Sequence, residues 1–317
     1  MINKLEKNKK ATLISDKVYS VVPFEGYSNH FLGINNENHI ALLIKSSNKS
    51  QKKFTSYKGK NLKILFERVS RLSENGIEKS DKFTILHLNS EKKGLQSYFV
   101  EICKLILNNI GDNPDLSLVY NELENVKDIF LNLNKSRIKE EIGLWGELFL
   151  ISIQRNKNKA IESWHINAKD RIDFNSGSIK IEVKTTLSNE RKHVFKLNQL
   201  RNHYKEEVIV CSIMTSEIEN GVSIKELLEE ITLKLENRLK LKLLQKTSAV
   251  LGQDLFNLNY RRFDKKTAFE SLQLFNSKDV PAIDLDCFDK YVSKISFTSN
   301  LSKVSNLVDK NHTSLFN

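Results

Sequence analysis

Apolar positions along the chain keep two rhythms, one of strands and one of helices. Val18–Val22, His39–Ile44, Leu62–Glu67 and Phe83–Leu88 are short β-branched or aromatic runs set between polar Asn/Ser/Lys segments, a pattern that predicts strands. In Leu95–Ile110 (LQSYFVEICKLILNNI) the apolar residues return at helical spacing on one face. Gly111-Asp112-Asn113-Pro114 then stops the helix. That stop is the candidate domain boundary, dividing a strand-rich domain, 1–111, from 112–317. Beyond it, Leu116–Leu133 and Ile138–Gln154 predict helices. Two short strands follow, Arg171–Asn175 and Ser178–Thr185, joined by a tight Asn175-Ser176-Gly177 turn. A helical stretch around Leu197–Tyr204 leads into a buried strand, Val208–Met214. Ser223–Gln245 predicts a long amphipathic helix or a helix pair, with Ile224, Leu227, Leu228, Ile231 and Leu235 as its buried stripe. Glutamates come early and Lys/Arg late in it, the sense that suits a helix dipole. The remainder, to Asn317, reads as irregular with short apolar runs such as Ile295–Phe297. Helices and strands interleave, which gives an α/β (α+β) class.

Composition narrows the class without naming a chemistry. Apolar residues form 39% of the 317, and only 3 prolines and 11 glycines occur, which fits packed domains and not a disordered or fibrous chain. No run of eighteen apolar residues exists, so no membrane span is expected. The charged start, MINKLEKNKK, has no apolar core of a secretory signal, and a cytoplasmic location is the expectation. Cys103, Cys211 and Cys287 lack C-x-x-C spacing, so neither a disulfide framework nor a zinc site is indicated. In apolar surroundings Cys103 and Cys211 read as small hydrophobes. The net charge of +11 favours polyanions, nucleic acid first. The basic segment Ser46–Lys60 carries Phe54 and Tyr57. It fits either a loop that stacks on bases and meets phosphates or a solvated hairpin loop.

The chemistry concentrates in Arg171–Thr186, R-I-D-F-N-S-G-S-I-K-I-E-V-K-T-T. Alternation along a strand sends Glu182 and Lys184 to one side and Ile181 and Val183 to the other, into the core. A carboxylate and an amine on an otherwise apolar strand cost stability unless they have partners or work. The glycine turn folds Asp173 back beside Glu182. Two converging carboxylates suit magnesium, with water and a substrate phosphate completing its shell. Such a site can neutralise charge on a phosphoryl group and activate water, and an adjacent ammonium can orient that water. A structural Glu–Lys or Asp–Lys ion pair at a sheet edge is the competing reading. No H-E-x-x-H, Walker glycine loop or G-x-S-x-G is present.

Asp173, eight intervening residues, then Glu182-Val183-Lys184 resembles the D-x(n)-E-x-K core of the PD-(D/E)XK nuclease superfamily. Four ordered blocks narrow the resemblance: G-L-W-G-E-L-F-L (Gly143–Leu150), Trp164 before I-D-F, I-E-V-K-T-T, and H-V-F-K-L-N-Q-L (His193–Leu200). Together they resemble a bacterial family of PD-(D/E)XK proteins found with restriction and anti-phage operons, most closely over Ile138–Met214. The resemblance implies a restriction-endonuclease-like mixed sheet flanked by helices. It implies a DNA endonuclease using Mg2+, with Mn2+ as a substitute, and an effector of restriction or anti-phage defence. Asp173 and Glu182 would be metal ligands, the Val183 carbonyl a third, and Lys184 would position the water. Glu147 matches an acidic residue that many members use as a further ligand. It also lies on the narrow polar side of its helix with Glu140 and Gln154, where simple exposure would explain it. Gly143 and Gly146, at roughly 1 kcal/mol each relative to alanine, imply close packing of that helix. Gln199 matches a glutamine placed near the scissile phosphate, and His193 reads as an ordinary polar histidine. Ile172 stands where the motif has proline. Implied partners are DNA, other subunits of a defence operon such as an ATPase, and a second copy in a homodimer. The other function to weigh is a catalytically inactive DNA-binding or scaffold subunit.

Overall fold

A computed structural model of the chain describes residues 2, 5, 18–47, 54–132, 141–165, 172–177, 179–200, 207–252, 261–283, 295–307 and 311–316. Helices and strands alternate in a mixed α/β fold of the α+β kind. The chain divides into two compact units, Met1–Ser136 with Gly252–Phe256 and Arg137–Leu251 with Asn257–Asn317.

The first unit is built on strands β1 (Val18–Pro23), β2 (His30–Ile34), β3 (Ile40–Ile44), β4 (Tyr57–Lys58), β5 (Leu62–Glu74) and β6 (Ile77–Leu88). They form one sheet in the order β1-β2-β3-β6-β5-β4, and a parallel pairing of β1 with β5 closes it on itself. Tyr19, Val21, Phe31, Leu43, Leu72, Phe83 and Ile85 fill its core. The runs Leu62–Glu67 and Phe83–Leu88 are only the inner ends of a much longer hairpin. Its outer part, Arg68–Lys82, is mostly polar, with Val69, Leu72 and Ile77 scattered singly, so no apolar run announces it. Asn75-Gly76, both at positive φ, makes the turn, and that dipeptide is a hairpin signal in its own right. Helix α1 (Lys93–Ile110) buries Phe99, Ile102, Cys103, Ile106 and Leu107. It ends where expected, with Gly111 at φ 70 and its N–H on the Leu107 carbonyl. The next helix, α2 (Leu116–Asn132), groups with this same unit. Phe54 stacks on Tyr120 at 4.5 Å and tilts against Phe66. Lys127 lies 5.2 Å over the Tyr57 ring. Both aromatics of the basic segment are thus engaged within the unit; residues 48–53 lie outside the described residues.

The second unit opens with α3 (Glu141–Ile153) and α4 (Lys157–Ser163), followed by β7 (Phe174–Asn175), β8 (Ile179–Thr186), β9 (Lys192–Lys196), α5 (Leu197–Leu200) and β10 (Glu207–Met214). Then come β11 (Glu217–Ser223), α6 (Ile224–Thr232), α7 (Asn237–Leu251), β12 (Arg262–Phe263), α8 (Lys265–Ser271), β13 (Gln273–Asn276) and β14 (Ser296–Asn300). The central sheet has the order β13-β10-β8-β7. β8 and β10 run parallel, while β7 and β13 are antiparallel to their neighbours. Ser223–Gln245 is a helix pair, broken between Thr232 and Asn237, with a Ser223/Glu226 capping box starting the first member. The charge gradient is therefore shared between two helices and does not follow one dipole. The irregular reading of the C-terminal region is corrected. β13 is an edge strand of the central sheet, and β14 pairs with β9. These strands, like β9 and β11, are short and half polar, so tertiary pairing and not local pattern defines them. No helix among the described residues is long and apolar enough to cross a membrane.

Candidate functional site

The hairpin β7–β8 sets the site. Gly177, at φ +89, permits the turn, and the Ser176 N–H donates to the Ile179 carbonyl at 3.0 Å. Phe174 pairs with Ile181, which brings Asp173 alongside Glu182 and Val183. Phe174 is fully buried and stacked on Trp164 at 6.2 Å. Asp173 Oδ2 accepts the Val183 backbone N–H at 2.8 Å. Alternation works as the sequence implies. Ile181 and Val183 are buried, and helix α3 crosses that face so closely that a Cβ on Gly146 would lie 1.8 Å from Thr185 Oγ1. Gly143 has nothing within 4 Å of such a Cβ, so close packing explains one glycine of the pair and not the other.

On the other face Glu182, Lys184 and Gln199 form one network. Lys184 Nζ lies 2.8 Å from Glu182 Oε1. Gln199 Nε2 donates to the same Glu182 oxygen at 2.6 Å, while its Oε1 accepts from Lys184 Nζ at 3.4 Å and from the Lys196 N–H at 2.9 Å. The glutamine amide is thereby held at both ends. Phe195 lies 5.3 Å beneath the Lys184 ammonium. Glu182 Oε2 is buried without any hydrogen-bond partner, an exposed need in a carboxylate 2% accessible to solvent.

Glu147 completes the cluster from α3. Exposure does not explain it: the side chain is 14% accessible, its Oε2 accepts from Trp164 Nε1 at 2.5 Å, and Lys246 Nζ stands 3.5 Å from that oxygen. Burial and the nearby Asp173 carboxylate raise Glu147 to about 7, and the same two causes raise Glu182 to about 8. Burial also raises Asp173, against the Val183 N–H and the ammonium groups of Lys184 and Lys246. Three carboxylates thus repel one another in a poorly hydrated place.

His193 behaves as a structural histidine. Its Nε2 lies 2.6 Å from Ser212 Oγ, and burial followed by Arg191 and Lys184 lowers it to about 4. Arg191 donates to the Ser212 carbonyl and hydroxyl and to the Ser271 carbonyl, tying the approach to β9 to the central sheet. Cys211 and Cys103 are buried and free, as read from the sequence, and Cys287 lies outside the described residues. Lys246, on α7, is the site residue that the sequence did not single out. It sits among other lysines on an amphipathic helix, and only the fold reveals its neighbours.

Among the described residues no group of three or more His, Cys, Asp or Glu side chains stands ready-made as a metal cage. The donors present still fit a hard divalent cation. They are carboxylate oxygens, one of them orphaned and buried, and a cation would offset the burial that raises all three groups and the Asp173 charge that adds to it at Glu147 and Glu182.

A mixed α/β core that joins an aspartate to Glu-x-Lys across one hairpin defines the class, a protein of the PD-(D/E)XK type. A family model described as "Putative PD-(D/E)XK family member, (DUF4420)" matches residues 3–302, and the chain belongs to that family. No curated protein and no solved structure matches it.

Proposed function

We propose that this protein is a divalent-cation-dependent endonuclease that hydrolyses phosphodiester bonds of DNA, acting as an effector of restriction or anti-phage defence. The observation that carries the reading is the orphaned, buried Glu182 Oε2 beside Asp173 and Glu147, an oxygen that no ammonium group of the cluster reaches. Asp173 and Glu182 would hold Mg2+, or Mn2+ in its place, with the Val183 carbonyl and Glu147 as further donors. The bound cation would supply charge neutralisation on the phosphoryl oxygens and a water of lowered pKa.

The chain's own groups then have defined tasks. Lys184, steered by Glu182 and by Gln199, orients the attacking water and offsets charge building on the phosphorus. Gln199 fixes the side chains of Glu182 and Lys184 relative to each other, so the site meets its substrate already arranged. The net charge of +11 draws the DNA backbone to the protein. The strand-rich first unit would read DNA or bind a partner, such as an ATPase of the same operon or a second copy. The intact acidic pair Asp173 and Glu182 with Lys184 supports turnover over an inactive scaffold, because a scaffold has no use for two buried acids side by side.

The test is supercoiled plasmid incubated with a panel of divalent cations. Wild type is expected to cut in Mg2+ or Mn2+, and Asp173→Ala, Glu182→Ala and Lys184→Ala each to lose at least about a hundred-fold in rate. Cleavage that survives all three changes would sink the assignment.

A further inference from the structure

Lys246 lies outside the sequence blocks that carry the family resemblance, yet its contacts fall on two of them. Its ammonium is 3.5 Å from Glu147 Oε2, donates to the His165 carbonyl at 2.7 Å, and lies 5.1 Å from the centre of the Trp164 ring. Trp164 Nε1 donates to the same Glu147 oxygen, and the His165 backbone N–H donates to the Asp173 carbonyl at 2.9 Å. Lysine, tryptophan and aspartate are therefore linked through two adjacent residues at the end of α4. Lys246 and Glu147 are each only 14% accessible, so their interaction is not one of the screened surface pairs of little consequence.

The arrangement mirrors Lys184 against Glu182 on the other side of β8. Three carboxyl groups face two ammonium groups, and Asp173 also receives the Val183 backbone N–H. We infer that Lys246 is a built-in counter-ion of the acidic cluster, standing in the cation-free protein for part of the charge that a divalent cation supplies on binding. The inference rests on the reading that Asp173 and Glu182 hold such a cation. Without Lys246, Glu147 would be buried with a hydrogen bond and no counter-charge, an expensive state for a folded protein. With it, an arriving cation meets an ammonium that repels it. Lys246 thus stabilises the empty site and weakens the filled one, and it acts by placing charge, not by touching substrate.

Calorimetric titration of Mn2+ into the full-length protein tests this, with thermal melts beside it. Lys246→Met and Lys246→Gln remove the charge, and the second can keep the hydrogen bond to His165. Both are expected to bind Mn2+ at least about ten-fold more tightly than wild type. Their melting temperatures should be lower than wild type without divalents and should rise further on saturation. Lys246→Arg should keep wild-type affinity. Wild-type binding that Glu182→Gln abolishes, with equal or weaker binding by the folded Lys246 variants, overturns the inference alone. No Mn2+ binding by any of these proteins overturns the reading of Asp173 and Glu182, and the inference with it.

Discussion

At the scale of single residues, the site is governed by what burial does to carboxylates. Glu182 ordinarily titrates near 4.5 and is raised to about 8 by burial and by Asp173. Between those values the folded, cation-free protein keeps a proton that the unfolded chain has released, so stability falls as pH rises through the window. His193, lowered from 6.5 to about 4, works in the opposite sense, but its window closes below neutrality. Melts at pH 7 and pH 8.5 without divalent cations set His193 aside and read the raised carboxyl groups, Glu182 foremost and Glu147 in smaller part. Wild type should lose about 1 kcal/mol over that interval, and Glu182→Gln, an uncharged isostere, should lose clearly less. Equal losses would show that Glu182 is not the raised group. Alternation put Glu182 and Lys184 on one side of their strand and the glycine turn put Asp173 beside them, and the ordered blocks around the hairpin then made the three legible as a site. Lys246 was not legible, because its significance depends on α7 passing beside Trp164, a tertiary fact with no local pattern. His193, read as an ordinary histidine, and Phe54, read as either a base-stacking or a loop residue, show the reverse. Residue types able to do chemistry or bind bases proved engaged in packing, and only their neighbours reveal it.

At the scale of elements, α3 is placed by a contact and not by its helical propensity. Gly146 lets the helix backbone approach Thr185 on β8, and that approach puts Glu147 over the hairpin. Gly146→Ala should therefore destabilise the protein by about 1–3 kcal/mol through overpacking and should slow cleavage by displacing Glu147. Gly143→Ala, with open space around its Cβ, should be neutral or stabilising by up to about 1 kcal/mol. Denaturant unfolding of the two variants checks the contrast, and equal effects would contradict the packing account. Elements with a strong apolar rhythm, such as α1, β3 and β10, could be read directly from sequence. The outer half of the β5–β6 hairpin could not, since it is mostly polar, its one buried apolar residue, Leu72, makes no run, and Val69 and Ile77 are exposed. β13 and β14 were missed because edge strands a few residues long take their identity from the partners they join.

At the scale of the whole molecule, the chain carries a net +11, and under the proposed function its acidic cluster would have to admit a phosphodiester. Long-range attraction would bring the polyanion in, while a cation in the cluster would offset local repulsion. Binding of full-length protein to duplex DNA, followed by fluorescence anisotropy, should weaken steeply with salt, by at least about ten-fold between 50 and 200 mM. A salt-insensitive affinity would show that phosphate contacts do not dominate. The family match over residues 3–302 spans both units, so the strand-rich unit is as much part of the family's pattern as the hairpin site.

The central claim, that the β7–β8 hairpin hydrolyses DNA with a divalent cation, is tested most directly by one comparison. Wild type and Glu182→Gln, matched for folding and for DNA binding, are incubated with supercoiled plasmid in Mg2+ and in Mn2+. The account predicts cation-dependent loss of supercoiled plasmid by wild type and none by the variant. Equal cleavage by the two proteins, or cleavage by wild type that persists in excess chelator, would contradict it.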